Sequence, residues 1–346
     1  MKVLIVNPSF WIYGGAERVI VKLANYLTDH NHQCTILTTQ MIQEVRKDIK
    51  ETRLIFTKNV EEMAEWLGKI HQDFDVINYH NDPVQLLHFG KKTKSVWMCN
   101  EPPQICLDGR DLSTEQKDAV KFIQKVIVAD KFNQDRFKKI YGMDSEIINY
   151  GVDYKFWQKG DGEKFRKKHE IPKDAFVITQ VGFIHPMKNQ MRTIKIFQEV
   201  KKKIPNAKLV LAGYETPHKM RLEDYIFENN LQADIIFTGL VPQEEVRDIY
   251  HGSDIALFPI KEQGGWLSIF DAMACGLPVY VSEEATCSSI LKEANIGCVC
   301  ETDEDFVHAI ITNKDQKINH AEWVKENLSW DKFCEKMLEA FDVPHI

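Results

Sequence analysis

Short apolar runs alternate, from one end of the chain to the other, with stretches whose apolar positions recur every three to four residues. Compact apolar runs read as buried strands, and the helical spacing reads as helices with one buried face. In the first half, Val3–Asn7, Cys34–Thr38, Val76–Tyr79, Ser95–Met98, Val126–Val128 and Glu146–Ile148 predict strands. Between them, Glu17–Leu27, Val60–His71, Gln85–Gly90, Glu115–Gln124 and Asn133–Tyr141 predict helices. The rhythm breaks at Gly151-Val152-Asp153 and the charged stretch through Gly162, which marks a domain boundary.

A second set follows. Strands are predicted at Phe176–Val181, Lys208–Ala212, Ile235–Thr238, Ile255–Phe258 and Pro278–Val281, with a short one near Cys298. Helices are predicted at Gln190–Lys203, Met220–Asn229, Glu244–His251, Ile269–Cys275 and Asp303–Thr312. Strand and helix alternate throughout, so the fold class is α/β, with two Rossmann-like, doubly wound parallel sheets. The expected division is 1–153, 154–329 and a last amphipathic helix within 330–346 that packs back on the first domain.

A chain of 346 residues is long enough for two such domains, each with its own core. The apolar share of 44% and charged share of 27% are those of a soluble globular protein. A formal net charge of −7 argues against nucleic acid as a partner. The basic stretch Lys131, Arg136, Lys138 and Lys139 reads as a solvated helix face or as a contact for acidic lipid or acceptor phosphate. Eight cysteines contain no CxxC pair, so neither a zinc knuckle nor a thioredoxin-type site is signalled. They fit reduced thiols in a cytoplasmic protein. No apolar run approaches the ~20 residues of a membrane span, so membrane contact is expected to be peripheral, on the inner face.

Three segments carry candidate chemistry. Pro8 to Glu17 joins the first strand to the first helix, and Gly14-Gly15 allows positive φ and close approach to the amides at the helix start. The plainer reading is a tight strand-to-helix turn. The second, Val181-Gly182-Phe183-Ile184-His185-Pro186-Met187-Lys188-Asn189, leaves the first strand of the second domain. Strand ends that open onto helix starts are where doubly wound sheets bind ligands. Lys188 could neutralise a diphosphate there. The third runs from Lys261 through Glu262-Gln263-Gly264-Gly265-Trp266-Leu267-Ser268 to Asp271 and Pro278. Its glycines expose consecutive N–H groups to an anion at a helix start. Asp271, about two turns on, could accept from ribose hydroxyls.

These segments resemble the family-4 retaining glycosyltransferases of the GT-B fold, nearly along the whole chain. Gly14-Gly15-Ala16-Glu17 is similar to the family's N-terminal Gly-Gly-x-Glu. Asn149-Tyr150-Gly151-Val152-Asp153 resembles its Asn-Gly-Val-Asp, and Ala272 to Pro278 matches its Ala-Met-Ala-x-Gly-x-Pro. The family's second donor-motif glutamate falls on Asp271 and its first on Gln263, with Glu262 one place away. Its Gly-Arg pair falls on Gly182-Phe183, so the arginine beside Lys188 is replaced. A histidine often expected after the fifth strand falls on Asn100, and His80 is another candidate for the cleft.

The resemblance implies two domains facing a cleft and transfer of a hexose from a nucleotide-diphosphate sugar, with retention of configuration, to a glycan or lipid-linked acceptor. Lys188, Gln263, Asn100 and His80 are the candidate catalytic residues. Gly14, Gly15, Gly182, Phe183, Lys188, Glu262, Gly264, Gly265, Trp266, Leu267, Ser268 and Asp271 are the candidate donor-binding set. The nucleotide sugar is a co-substrate, and no cofactor or metal is expected, because no Asp-x-Asp lies beside these segments. The Asn-Glu-Pro-Pro stretch at 100–103 and the Gln-Gly-Gly-Trp stretch at 263–266 look like those of mannosyltransferase members, which favours GDP-mannose over a UDP-sugar. The replacements at Phe183, Gln263 and Asn100 motivate a second reading, a noncatalytic sugar-nucleotide-binding subunit. A nicotinamide-dependent oxidoreductase ranks last, because Pro8–Gly15 lacks GxGxxG.

Overall fold

The computed structural model describes residues 1–88, 90–102, 112–261, 264, 266–316 and 318–342. Two compact units divide the chain: Met1–Gly151 with Trp330–Ile346, and Val152–Ser329.

In the first unit, seven parallel strands form one sheet. They are β1 (Lys2–Val6), β2 (Gln33–Thr38), β3 (Arg53–Phe56), β4 (Val76–His80), β5 (Lys94–Met98), β6 (Lys125–Val128) and β7 (Glu146–Ile147), in the order β3-β2-β1-β4-β5-β6-β7. Leu4, Val6, Ile77, Tyr79 and Trp97 point into one continuous core with Met63 and Leu67 of the helix Val60–Ile70. Central strands covered by helices on both faces have no polar side to show, hence the near-continuous apolar runs. The C-terminal helix Trp330–Phe341 belongs to this unit. It packs on the helix Gly15–Asp29, with Cys334 Sγ 3.9 Å from the Lys22 carbonyl, and Phe333 beside Tyr150.

The second unit repeats the plan with six parallel strands. They are β8 (Val177–Val181), β9 (Lys208–Ala212), β10 (Ile235–Gly239), β11 (Ile255–Phe258), β12 (Val279–Ser282) and β13 (Cys298–Cys300), in the order β10-β9-β8-β11-β12-β13. Ile194, Phe197, Leu209, Leu211, Tyr280 and Phe306 centre its core.

Several local expectations are corrected. Gln85–Gly90 reads as an α-helix from its spacing, but the chain forms a 3-10 turn over Val84–His88, directly after the cis Asp82-Pro83 bond. The helix expected at Glu115–Gln124 spans Thr114–Val120, started by the Ser113–Gln116 capping box. The helix expected from Ile269 begins at Trp266. Strand β3 falls between the expected elements and lies at the sheet edge. No helix among the described residues is long and apolar enough to cross a membrane.

Candidate functional site

Open parallel sheets bind ligands beyond the carboxyl ends of their strands, where the strand order reverses. In the second unit that place lies between β8 and β11. The chain leaving β8 passes Gly182 and Phe183, makes a single turn at Pro186–Lys188 and enters the helix Gln190–Lys201. The chain leaving β11 passes Pro259 and Gly264 and enters the helix Trp266–Ala274. Two hydrogen bonds span the gap. The Lys188 ammonium donates to the Gly264 carbonyl, and Asn189 Nδ2 donates to the Pro259 carbonyl at 3.0 Å. Lys188 is therefore held just ahead of a helix whose first-turn amides have no partner within the helix itself. An ammonium beside a helix start suits a polyanion.

Two glutamines set the backbone that carries Lys188. Buried Gln180 donates through Nε2 to the Lys188 carbonyl at 2.7 Å and accepts the Thr193 hydroxyl at 2.6 Å. Gln190 donates to the Phe183 carbonyl at 2.6 Å and accepts the His185 N–H at 3.3 Å. An amide side chain both donates and accepts, so each one ties two points of the loop together. The floor is tight. Gly213, after β9, has φ 146°, and a Cβ there would lie 2.1 Å from the Gly182 carbonyl oxygen, so only glycine fits.

Phe183, at the position of the family's arginine, is half-buried with its ring centroid 5.7 Å from that of Tyr214. Asp271 is only 4% exposed. Its helix is buried at every position except Ser268. Trp266 packs on Phe270 at 4.4 Å between ring centroids, Leu267 is buried beside it, and the Tyr250 hydroxyl donates to the Ser268 carbonyl at 2.9 Å. Sequence spacing read Asp271 as a carboxylate facing the ligand rather than an ordinary residue on a helix flank; in the structure it is buried within the second unit. Glu262, Gln263 and Gly265 lie outside the described residues.

In the first unit the strand order reverses between β1 and β4. The turn after β1 departs from the sequence expectation. Gly14 has φ −97°, ψ −163°, an ordinary extended conformation, and neither Gly14 nor Gly15 is among the positive-φ glycines. The Gly14 N–H is taken by Glu17 Oε2 at 3.0 Å. A Cβ on Gly14 would also come within 3.0 Å of that carboxylate oxygen. Here the Gly-Gly-x-Glu segment caps its own helix, and Gly15 is the first residue of that helix. Burial raises the Glu17 pKa.

A line of amides crosses the carboxyl ends of three strands. Asn7 Nδ2 donates to the Ser9 carbonyl at 2.9 Å, Asn81 Nδ2 to Asn7 Oδ1 at 2.8 Å, and Asn100 Nδ2 to Asn81 Oδ1 at 2.7 Å. The Tyr150 hydroxyl closes the line on Asn100 Oδ1 at 2.7 Å. Asn100 thus has both ends of its amide engaged within the fold. Sequence reasoning missed the roles of Asn7, Asn81 and Tyr150; the available signal was an asparagine directly after each of two apolar strands, β1 and β4. His80, at the end of β4, has no exposed surface and a pKa pushed down by burial to about 3. Its Nε2 lies 2.7 Å from Asn78 Oδ1, and Asn78 Nδ2 is committed to the Val96 carbonyl, so His80 carries its proton on Nε2. The ring is neutral and enclosed.

A cavity of about 590 Å³, lined by residues including Lys2, Gln33, Arg53, Ile55 and Phe74, opens at the opposite, amino end of the first sheet. The residues singled out for chemistry lie at the carboxyl ends, where this class of sheet binds its ligands. Among the described residues, no group of three or more His, Cys, Asp or Glu side chains is placed to hold a metal ion.

Residues 161–330 match the family model described as glycosyl transferases group 1. The match covers most of the second domain of this chain. A D-inositol 3-phosphate glycosyltransferase from Rhodococcus erythropolis is 23% identical over 220 residues, 59% of this chain and 50% of that protein. A GDP-mannose-dependent alpha-(1-6)-phosphatidylinositol dimannoside mannosyltransferase from Mycobacterium tuberculosis is 23% identical over 218 residues, 62% and 56% of the two chains. The chain spans about half the length of the curated relatives it matches. Anabaena HepE, solved in complex with UDP and glucose, superposes with a TM-score of 0.82 at 16% identity, over 98% of this chain and 99% of HepE. The fold is GT-B, two parallel-sheet α/β domains.

Proposed function

We propose that this protein transfers a hexose from a nucleotide-diphosphate sugar to a glycan or lipid-linked acceptor. The observation that carries the reading is the pair of hydrogen bonds from Lys188 and Asn189 across the β8–β11 reversal. They set one full positive charge ahead of a helix start, where a diphosphate would develop charge as it leaves. The bound UDP and glucose of HepE support a nucleotide-sugar donor. The GDP-mannose dependence in the name of the mycobacterial relative supports mannose as the sugar.

In this reading the nucleotide diphosphate departs and the acceptor attacks from the same face, which retains the configuration. The chain's contribution is positioning and stabilisation of the leaving group's charge by Lys188 and the amides of the helix Trp266–Ala274, without a metal. Asp271 holds the ribose, and Gln263, rather than its neighbour Glu262, takes the role of the family's first donor-motif glutamate toward the donor sugar. Asn100 acts through Asn81 and Tyr150 as a positioning residue, and His80 supports the end of β4.

The test is a thermal-shift screen across GDP- and UDP-sugars, followed by an assay for release of the nucleotide diphosphate. A bound ligand stabilises the fold by about 2.7 kcal/mol at one hundred times its Kd. Stabilisation by GDP-mannose with slow nucleotide release supports the reading. Binding without any release would favour the noncatalytic subunit, and no shift with any donor would overturn both.

A further inference from the structure

Strand β13 is three residues long, lies at the edge of the second sheet and pairs with β12. Its sequence is Cys298-Val299-Cys300. Side chains two apart on a strand share a face, and the two sulfur atoms lie 3.8 Å apart. Cys300 is 3% exposed, while Cys298 is only partly buried.

Two steps along a strand separate Cα atoms by about 6.6 Å, inside the 4.4–6.8 Å range that a disulfide spans. The sulfurs need to close by roughly 1.8 Å to reach bonding distance. A short edge strand, held on one side, can pucker that far. Its neighbourhood also separates this pair from the other thiols. The hydrogen bond with Cys300 holds the Cys298 thiol below its usual range and pushes Cys300 up. Burial pushes Cys34, Cys99, Cys275 and Cys334 upward, toward inertness.

We propose that Cys298 and Cys300 are a redox modification site, closing to an intrachain disulfide when a peroxide is present and reopening with a dithiol reductant. The Cys298 thiolate attacks one peroxide oxygen, the O–O bond breaks, and the departing hydroxide takes up a proton to leave water and a Cys298 sulfenic acid. Cys300 then attacks the Cys298 sulfur. The S–S bond forms, the S–O bond breaks, and the thiol proton leaves with that oxygen as a second water. Two thiols lose two electrons and one peroxide gains them. The pair also adjoins the candidate site: Arg192, four residues past Lys188, donates to the carbonyl of Glu301 at 3.3 Å.

The full chain is treated with hydrogen peroxide near neutral pH, blocked with an alkylating reagent, digested and analysed by mass spectrometry. The expected result is a peptide containing 298–300 that has lost two hydrogens and gained no alkyl group. After reduction by a dithiol it gains two. Cys300→Ala should stop the reaction at a Cys298 sulfenic acid that a dimedone probe captures. The wild-type measurement stands without the variant: Cys298 should alkylate faster than the buried thiols, with half-maximal rate within about one unit of neutral pH, as expected of an activated thiol. Two alkylatable thiols after a peroxide dose that oxidises a control dithiol, or a disulfide joining either residue to another cysteine, overturns the proposal.

Discussion

Acidification should destabilise the first domain through His80, by an amount the structure fixes. The ring has no exposed surface, and burial pushes its pKa from 6.5 to about 3. Its Nδ1 has no hydrogen-bond partner among the described residues, so nothing there rewards a second proton. A group whose folded pKa lies below its unfolded one binds more protons when unfolded. Its stabilisation is fully present above the unfolded value and is lost as pH falls toward the folded value. The window therefore runs from 6.5 down to about 3. Each unit inside it costs about 1.4 kcal/mol, so at about pH 4.5 the loss is roughly 2.7 kcal/mol. That is a large part of a domain stability of about 5–15 kcal/mol. His88, also without exposed surface and pushed by burial to about 4, adds a loss of the same sign. The assay is urea unfolding followed by tryptophan fluorescence, for wild type and His80→Gln, at matched pH values between about 7 and 4.5. Carboxylates contribute alike to both proteins and cancel in the difference. Wild type should be the more stable at pH 7, and its advantage should shrink by roughly 2.7 kcal/mol at the acid end. A difference that stays constant across the window would mean that the folded protein protonates His80 freely, and the argument from burial would fail.

Three further outcomes are expected of the candidate site. Lys188→Ala should lower kcat on the order of 10²-fold, with a smaller change in donor KM, because its charge matters most as the leaving group forms. Lys188→Gln should be nearly as poor; near-normal turnover in both, with folding checked by circular dichroism, would show that the leaving group is neutralised elsewhere. Asp271→Asn keeps the shape of a buried side chain while removing its charge, so donor KM should rise about tenfold, equivalent to losing about 1.5 kcal/mol. Unchanged donor affinity in a folded variant would remove Asp271 from the ribose.

The order of the elements was readable because strands buried on both faces advertise themselves as apolar runs. Strand β3 was not, since Arg53-Leu54-Ile55-Phe56 is only four residues long and lies at a sheet edge, with Phe56 half exposed. The turn at Val84–His88 escaped because periodicity cannot distinguish one 3-10 turn from a short helix. Within the site, Lys188 and Asp271 could be named from spacing, but not what they touch. The contact of Lys188 with Gly264 joins positions 76 residues apart, and that of Asn81 with Asn7 joins positions 74 apart. Such partners are selected by the order of strands in the sheet, which a linear pattern does not state. The thiol pair was visible as i, i+2 spacing, yet it only acquires meaning once the segment is known to be a strand.

The C-terminal helix has a consequence for how the protein is made. The first unit takes Met1–Gly151 and then Trp330 onward, while the second is one continuous stretch, Val152–Ser329. During synthesis the amino-terminal sheet must wait for the last helix while the whole second domain emerges. At about 5–20 residues per second that interval is on the order of 10–35 s. Throughout it, the part of Gly15–Asp29 that will receive the last helix, at Cys334 among others, stands uncovered on the ribosome-bound chain. The second domain faces no such delay. A ribosome stall or a nonsense codon just before Trp330 would therefore release a protein whose later-made half is sound and whose earlier-made half is sticky, and chaperones would be drawn to the end synthesised first.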